Sequence, residues 1–298
     1  MVELVEVKEQ ILTFVKDCGD ARSLELLDLL SQGKMLRSKL ILKIAGVSDE
    51  SIKLCAVVEM IQSASLLHDD VIDEADTRRG KPSINALFDN KTSIMFGDIL
   101  YSKAFTELTK MDKDIAYEIA SSVTKLSIGE LHDVEMANNF NTSYDKYFNM
   151  IYNKTASLIE ASAKSAAIIA NKDKEAFALY GKNLGLAFQM IDDILDITQT
   201  SETLGKPAML DFVEGKVTIP YLLLHERTLH KDKLESLYKK ELSNDEQKWI
   251  KDEMIKYNVL IDSISQAQKL GFEAVEAIKF DDSEDLKNIM NQMINRGF

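Results

Sequence analysis

The run Asp69-Asp70-Val71-Ile72-Asp73 recurs 123 positions later as Asp192-Asp193-Ile194-Leu195-Asp196. Each follows an apolar stretch, Ser65-Leu66-Leu67-His68 in the first case and Phe188-Gln189-Met190-Ile191 in the second. Carboxylates rarely sit in such surroundings unless they are paired or hold a metal. On a helix, residues i and i+4 share a face, about 6 Å apart along the axis. Asp69 and Asp73 therefore point one way, as do Asp192 and Asp196, with Asp70 and Asp193 about 100° around their helices. A single pair of this kind is usually a solvated helix face. Two matched clusters in apolar context instead predict two walls of one polar, metal-loaded cavity. No His/Cys cluster accompanies them, and all-oxygen ligation with open positions suits Mg²⁺, which shares its sphere with water and substrate phosphates.

Cations stand near both clusters in the sequence. Gly33-Lys34 and Arg37 lie upstream of the first, Arg78-Arg79 and Lys81 follow it, and Lys154-Thr155, Lys206 and Lys216 accompany the second. Arginine forks match phosphate oxygens bidentately. Carboxylates, Mg²⁺ and several cations in one pocket predict one or two bound diphosphates, and the apolar helix faces ask for a greasy substrate attached to them. Each cluster is also followed by Gly-Lys-Pro, at Gly80-Lys81-Pro82 and Gly205-Lys206-Pro207. That pattern reads as a glycine helix stop and a proline block with a lysine-presenting loop. His68 reads as a partly buried, hydrogen-bonded histidine, and the Met and Phe residues at helical spacing as core.

The elements that position these groups are helices. Three prolines and twelve glycines leave few breakers in 298 residues, 45% of them hydrophobic, and the common residues are good helix formers. Helical periodicity predicts helices over about 3–17, 22–31, 35–46, 49–74, 92–109, 112–138, 143–170, 173–199, 216–229, 231–241, 244–257, 258–279 and 282–295. Ser48, Asp112 and Ser243 are expected N-caps. No alternating run calls for a sheet, and no linker divides the chain. The expectation is one all-α domain over residues 1–298. The net charge of −13 argues against a nucleic-acid partner. Cys18 and Cys55 give neither a disulfide framework nor metal-ligand spacing. The acidic start lacks a signal-peptide pattern, and no apolar run approaches the roughly 18–20 residues of a membrane span, so a cytoplasmic location is expected.

In these stretches the sequence resembles the trans-type (all-E) polyprenyl diphosphate synthases. The matching residues are Gly33-Lys34-Met35-Leu36-Arg37, Leu66 to Asp73 through Arg78-Arg79-Gly80-Lys81-Pro82, Lys154-Thr155-Ala156-Ser157-Leu158, Gly185 to Asp196, and Leu204-Gly205-Lys206-Pro207. They occur in the family's order over roughly residues 30 to 220. The resemblance implies an isoprenoid-synthase-type antiparallel helical bundle around a central cavity, usually a homodimer. It implies that Asp69, Asp73 and Asp192 hold Mg²⁺, about three ions per active site, with Asp70, Asp193 and Asp196 in support. Arg78, Lys154, Thr155, Gln189, Lys206 and Lys216 match contacts to the allylic diphosphate. Lys34, Arg37 and Arg79 match contacts to isopentenyl diphosphate. The implied chemistry is ionisation of the allylic diphosphate, attack by the double bond of isopentenyl diphosphate, and loss of a proton to the released diphosphate. One position departs from the pattern: where the family usually has a histidine, seven residues before the first cluster, this chain has Gln62. Gln still donates a hydrogen bond but carries no charge, so weaker isopentenyl diphosphate binding is expected.

Product length follows from the helix upstream of the first cluster. Each turn of about 5.4 Å matches roughly one isoprene unit. Ala64 and Ser65 are small and Ile61 lies a turn further; no aromatic occurs from Ser51 to His68. In this family bulk at the positions of Ala64 and Ser65 shortens the product. The expected product is therefore long, about C35–C45 with C40 favoured, as in octaprenyl diphosphate synthases, with Tyr101 and Phe105 as candidates for a deeper floor. A product of that length leaves water reluctantly, which points to at most transient membrane contact. Three alternatives remain: a short-chain C15 or C20 synthase, a terpene cyclase, and a catalytically silent partner subunit. All six acids and the Lys34/Arg37 pair favour an active chain-elongating enzyme.

Overall fold

The computed structural model describes residues 3–31, 33–199, 208–281 and 283–295. It is all-α, as expected, apart from one two-residue-per-strand hairpin. Helices α1 (Glu3–Lys16), α2 (Ala21–Leu29), α3 (Leu36–Ala45), α4 (Asp49–Ile72), α5 (Ile84–Leu87) and α6 (Asn90–Leu108) come first. They are followed by α7 (Lys113–Met136), α8 (Tyr144–Ile151), α9 (Ser157–Ile169) and α10 (Lys174–Thr198). Shorter and longer helices complete the chain at Leu210–Val213, Ile219–Arg227, Lys231–Leu237, Asn244–Lys256, Val259–Ala277 and Glu284–Ile294. No helix among the described residues is long and apolar enough to cross a membrane.

The chain groups into two compact units that interleave along the sequence. One takes the described residues of Met1–Val123 and Ala161–Glu175; the other takes those of Thr124–Glu160 and Ala176–Phe298. In the first unit α4 is the central helix. Leu54, Cys55, Ala56, Val57, Val58, Met60, Ile61, Ala64 and Leu67 are buried on every side of it, the pattern of a helix surrounded by others. Helices α1, α3, α5 and α6 pack on it. Its start is set locally: Ser48 accepts from the Ser51 amide, and Ser51 reciprocates in a capping box, which satisfies donors that the first turn would otherwise leave bare. The α4–α6 seam is close because Gly97 has no side chain; a Cβ there would stand 2.5 Å from His68 Nε2. Ser93 Oγ ties the same seam by donating to the Leu67 carbonyl at 2.8 Å.

In the second unit, α10 contributes Ala187, Met190, Ile191, Ile194 and Ile197 to a core shared with Tyr147, Ile151, Phe212, Tyr221 and Leu224. Phe212 and Tyr221 stack with centroids 4.2 Å apart. Ser243 caps Asn244–Lys256 through a capping box with Glu246. Asp112 accepts the Asp114 amide at 2.8 Å ahead of α7, so all three expected caps are present.

Three expectations need correction. Gly80 does not stop the first acid helix: α4 ends at Ile72, capped by Asp73 with φ −83°. Arg79 and Gly80, at φ 55° and 74°, instead form the two-residue turn of a hairpin pairing Thr77 with Pro82 and Arg78 with Lys81. Two successive positive φ values are what a right-twisting two-residue hairpin demands. The stretch 143–170 is not one α-helix, because a π-helical turn, Tyr152–Ala156, separates α8 from α9. The short helices Ile84–Leu87 and Leu210–Val213 carry too little periodic pattern to be seen beforehand.

Candidate functional site

In the first unit, the two neighbouring acids of the first cluster are placed differently. Asp70 is buried, whereas Asp69 is half-buried and Asp73 exposed at the end of α4. Arg78 Nε donates to Asp70 Oδ1 at 2.7 Å, and Arg78 Nη2 contacts the same oxygen. Asn85 also donates to the Asp70 carbonyl at 3.2 Å. Asp70 therefore anchors the hairpin to α4.

The hairpin turn sends Arg79 to the 31–37 segment. Arg79 Nη1 donates to the Ser31 carbonyl at 2.9 Å, and its guanidinium occupies the space a Cβ on Gly33 would need, 2.8 Å from Nη1 and Nη2. Gly33 thus matters as an absence of side chain. Desolvation pushes the Arg37 guanidinium down to about 10 against the pull of Glu59. Arg37 Nε is buried without a hydrogen-bond partner. Desolvation and then the neighbouring Arg78 lower Arg79 likewise, opposed by Glu59 and Asp70. Burial is the leading cause in both guanidiniums, and a bound anion would oppose it. Lys34 is exposed and Gln62 half-buried. The Gln62 carbonyl accepts from Ser65 Oγ at 3.0 Å.

Ile61, Ala64 and Ser65 are all buried in the first unit. Tyr101 and Phe105 are half-buried and stack with centroids 6.1 Å apart. Tyr101 lies 5.6 Å from the His68 ring, so it stands near the acid end of α4, and Phe105 lies a turn further along α6. His68 is 3.2 Å from the Ile94 carbonyl, in keeping with a partly buried, hydrogen-bonded histidine.

In the second unit, the π-turn carries Lys154 and Thr155. Two glycines admit it. A Cβ on Gly129 of α7 would lie 2.2 Å from the Lys154 backbone nitrogen, and one on Gly185 of α10 would lie 2.5 Å from Ala156 Cα. Single π-turns inside α-helices are frequent at functional sites. Lys154 Nζ sits 2.8 Å from Glu130 Oε2 and 2.6 Å from Asp133 Oδ2. Burial works against its charge, but Asp133 and Glu130 overcome that and hold the ammonium above its usual pKa. Thr155 Oγ1 donates to Gln189 Oε1 at 2.9 Å.

The second acid cluster is more buried than the first. Asp193 and Asp196 are buried and Asp192 half-buried. Asp193 accepts from Tyr147 Oη at 2.6 Å and from Gln189 Nε2 at 2.9 Å. Asp196 accepts the Asp211 amide at 3.3 Å, while Lys216 Nζ stands 2.9 Å from Glu214. Burial and then the Asp211 carboxylate, with Asp133 further off, push the Asp193 carboxyl up to about 8, against hydrogen bonds from Tyr147 and Gln189 that favour the anion. Burial, then Asp196 and Asp211, drives Tyr221 well above its usual value. Both shifts mark a place short of positive charge.

That shortage is what a hard divalent cation relieves, and the oxygen-only donor set fits Mg²⁺. Among the described residues no three His, Cys, Asp or Glu side chains form a ready cage. Mg²⁺ held by one or two carboxylates together with substrate phosphates needs none. Lys206 and the surrounding Leu204-Gly205-Lys206-Pro207 lie outside the described residues.

Sequence reasoning missed Glu130, Asp133, Asp211 and Tyr147. The first two had a signal, an i, i+3 acid pair at Glu130 and Asp133 that opens directly after Gly129. The others had none, since their partners are set by packing.

Residues 24–255 match the polyprenyl synthetase family, and the chain belongs to that family. A prenyl transferase of Synechocystis sp. is 39% identical over 208 residues, a stretch covering 65% of this chain and 64% of that protein. The crystal structure of octaprenyl pyrophosphate synthase from Helicobacter pylori is similar over 99% of both chains, at 43% identity and TM-score 0.92. A polyprenyl synthase from Caulobacter crescentus, complexed with calcium and isoprenyl diphosphate, is similar at 29% identity and TM-score 0.87, over 98% of this chain and 93% of that one.

Proposed function

We propose that the chain is a Mg²⁺-dependent prenyltransferase. It condenses isopentenyl diphosphate successively onto an allylic diphosphate, farnesyl diphosphate above all, to make a long all-trans polyprenyl diphosphate of about C35–C45, with C40 favoured. The observation that carries this reading is a complementary imbalance of charge. Arg37 has a buried Nε without a hydrogen-bond partner, burial disfavours its charge and that of Arg79, and burial followed by Asp211 disfavours the Asp193 anion. Diphosphate and Mg²⁺ are the pair of ligands that would relieve both. The likeness to octaprenyl pyrophosphate synthase from H. pylori supports the long product, as do the small, buried Ala64 and Ser65.

In this reading Asp69, Asp73 and Asp192 would hold Mg²⁺ with Asp70, Asp193 and Asp196 in support, Asp70 being braced by Arg78 and Asp193 by Tyr147 and Gln189. Bound Mg²⁺ supplies Lewis-acid stabilisation of the leaving diphosphate. Lys34, Arg37 and Arg79 bind isopentenyl diphosphate beside Gln62. Arg78, Lys154, Thr155, Gln189, Lys206 and Lys216 serve the allylic diphosphate, with Arg78 also braced by Asp70. The apolar flank of α4 at Ile61, Ala64 and Ser65, with Tyr101 near its acid end and Phe105 a turn further along α6, receives the growing tail and excludes the water that would quench an allylic cation. The family match over residues 24–255 supports treating residues 1–298 as one catalytic domain. Ile128, Leu131 and Val134, exposed on α7, support a homodimer, because clustered exposed apolar residues mark association surfaces.

The test is to incubate the purified chain with Mg²⁺, labelled isopentenyl diphosphate and farnesyl diphosphate and to resolve products by length. A ladder ending near C40 is expected. Arrest at C20 would keep the reaction and overturn the length. No incorporation from either farnesyl or geranylgeranyl diphosphate would overturn the function.

A further inference from the structure

We infer that Tyr147 is a positioning residue for the Thr155–Gln189 pair and acts through Asp193. The inference rests on the reading above that Thr155 and Gln189 serve the allylic diphosphate. Tyr147 is fully buried. Its hydroxyl donates to Asp193 Oδ2 at 2.6 Å. Gln189 Nε2 donates to the other oxygen, Oδ1, at 2.9 Å, and Thr155 Oγ1 donates to Gln189 Oε1 at 2.9 Å. The four side chains form one directed line across α8, α10 and the π-turn.

The direction is what positions the far end. Both Asp193 oxygens accept, Oδ2 from Tyr147 and Oδ1 from Gln189, so Asp193 selects the orientation of the Gln189 amide in which nitrogen faces Asp193 and oxygen faces Thr155. One amide proton is then committed to Asp193, and the other takes a fixed direction. Thr155 in turn commits its proton to Gln189, so the second amide proton of Gln189 is the donor the pair offers to an anionic diphosphate. Asp193 holds this arrangement only while its own second oxygen is satisfied, and Tyr147 satisfies it. Without the Tyr147 hydroxyl, a buried carboxylate oxygen loses its donor. Rotation of the carboxylate to recover one would release Gln189 and with it Thr155. Tyr147 itself is locked by the second unit's core and by an edge-on contact with Phe148, centroids 5.3 Å apart.

The test is a double-mutant cycle of Tyr147→Phe and Asp193→Asn, read by KM and kcat for each substrate and by thermal midpoint. Tyr147→Phe is expected to lower kcat/KM for farnesyl diphosphate about tenfold, the scale of one hydrogen bond to a charged group, with KM for isopentenyl diphosphate unchanged. In the Asp193→Asn background the same substitution is expected to do nothing further. Additive effects, or equal loss toward both substrates, would overturn the inference, because a residue that only supports the fold lowers the active fraction without choosing a substrate. Should Tyr147→Phe not fold, Asp193→Asn alone decides: selective loss toward farnesyl diphosphate supports the relay, and unselective loss refutes it. A wild-type chain without prenyl transfer would sink the functional reading and the positioning role together. The hydrogen-bonded line would still stand or fall on whether the two substitutions couple in thermal midpoint.

Discussion

Gly129→Ala and Gly271→Ala create nearly the same initial clash and should have opposite consequences. An added Cβ at Gly129 would come 2.2 Å from the Lys154 backbone nitrogen and 2.7 Å from the Asn153 carbonyl carbon. At Gly271 it would come 2.1 Å from Ile294 Cδ1, with the next atom at 3.4 Å. Both glycines lie inside helices, where alanine is intrinsically favoured by about 0.8–1.0 kcal/mol. At Gly271 the obstacle is the tip of a flexible side chain near the end of the last described helix. Moving it costs about 0.5–1.5 kcal/mol, so the net change should be near zero. At Gly129 the obstacle is backbone. The π-turn is tied by Lys154 to Glu130 and Asp133 and by Thr155 to Gln189, and it is packed against Gly185. Overpacking where neighbours cannot give reaches about 3 kcal/mol. After the alanine gain, a net loss of about 2 kcal/mol remains, or about 3 °C in thermal midpoint for a chain of 298 residues. Thermal unfolding followed by circular dichroism measures both variants. Gly129→Ala should also lose prenyl transfer beyond its loss of folded protein, since the displaced turn carries Lys154 and Thr155. Equal midpoints for the two variants, or a lower one for Gly271→Ala, would refute the reasoning that the chemical nature of the neighbour decides the cost.

Three further outcomes are expected. Asp70→Ala removes the partner of the partly exposed Arg78 and should cost about 1.5 kcal/mol, the lower end for a hydrogen bond to a charged group, measurable by urea unfolding. Ala64→Phe fills the flank of α4 next to the first acid cluster and should shorten the product by several isoprene units; an unchanged product ladder would remove Ala64 from length control. Gln62→His restores a group that can carry charge and should lower KM for isopentenyl diphosphate several-fold, by about 1 kcal/mol for a charge-assisted hydrogen bond, while KM for farnesyl diphosphate stays constant.

Much of what is local in the protein could be read from its residues alone. The helical class follows from sustained 3.6-residue periodicity and few breakers. The caps at Ser48, Asp112 and Ser243 follow because a cap bonds within its own first turn. The pairing of Asp69 with Asp73 and of Asp192 with Asp196 follows from helix geometry. The repeated acid cluster, with arginines and lysines at particular distances, also sufficed to point to the family. The hairpin at Arg78-Arg79-Gly80-Lys81 was misread as a helix stop. Gly-Lys-Pro ends a helix or turns a hairpin equally well, and Asp73 had already ended the helix.

Tertiary structure decided which side chains the members of each cluster meet. Asp69 and Asp70 are the same residue type side by side, and only the fold gives Asp70 to Arg78. Asp192 and Asp193 are equally alike, and only the fold brings Tyr147, 46 residues away, onto Asp193. The π-turn was invisible because one extra residue per turn barely disturbs a hydrophobic pattern, and the glycines that admit it matter for a side chain they lack. A one-dimensional pattern records periodicity and neighbours along the chain. Hydrogen-bond partners, desolvation and the charge left uncompensated after folding depend on distances between residues far apart in sequence, and those exist only once the helices have packed.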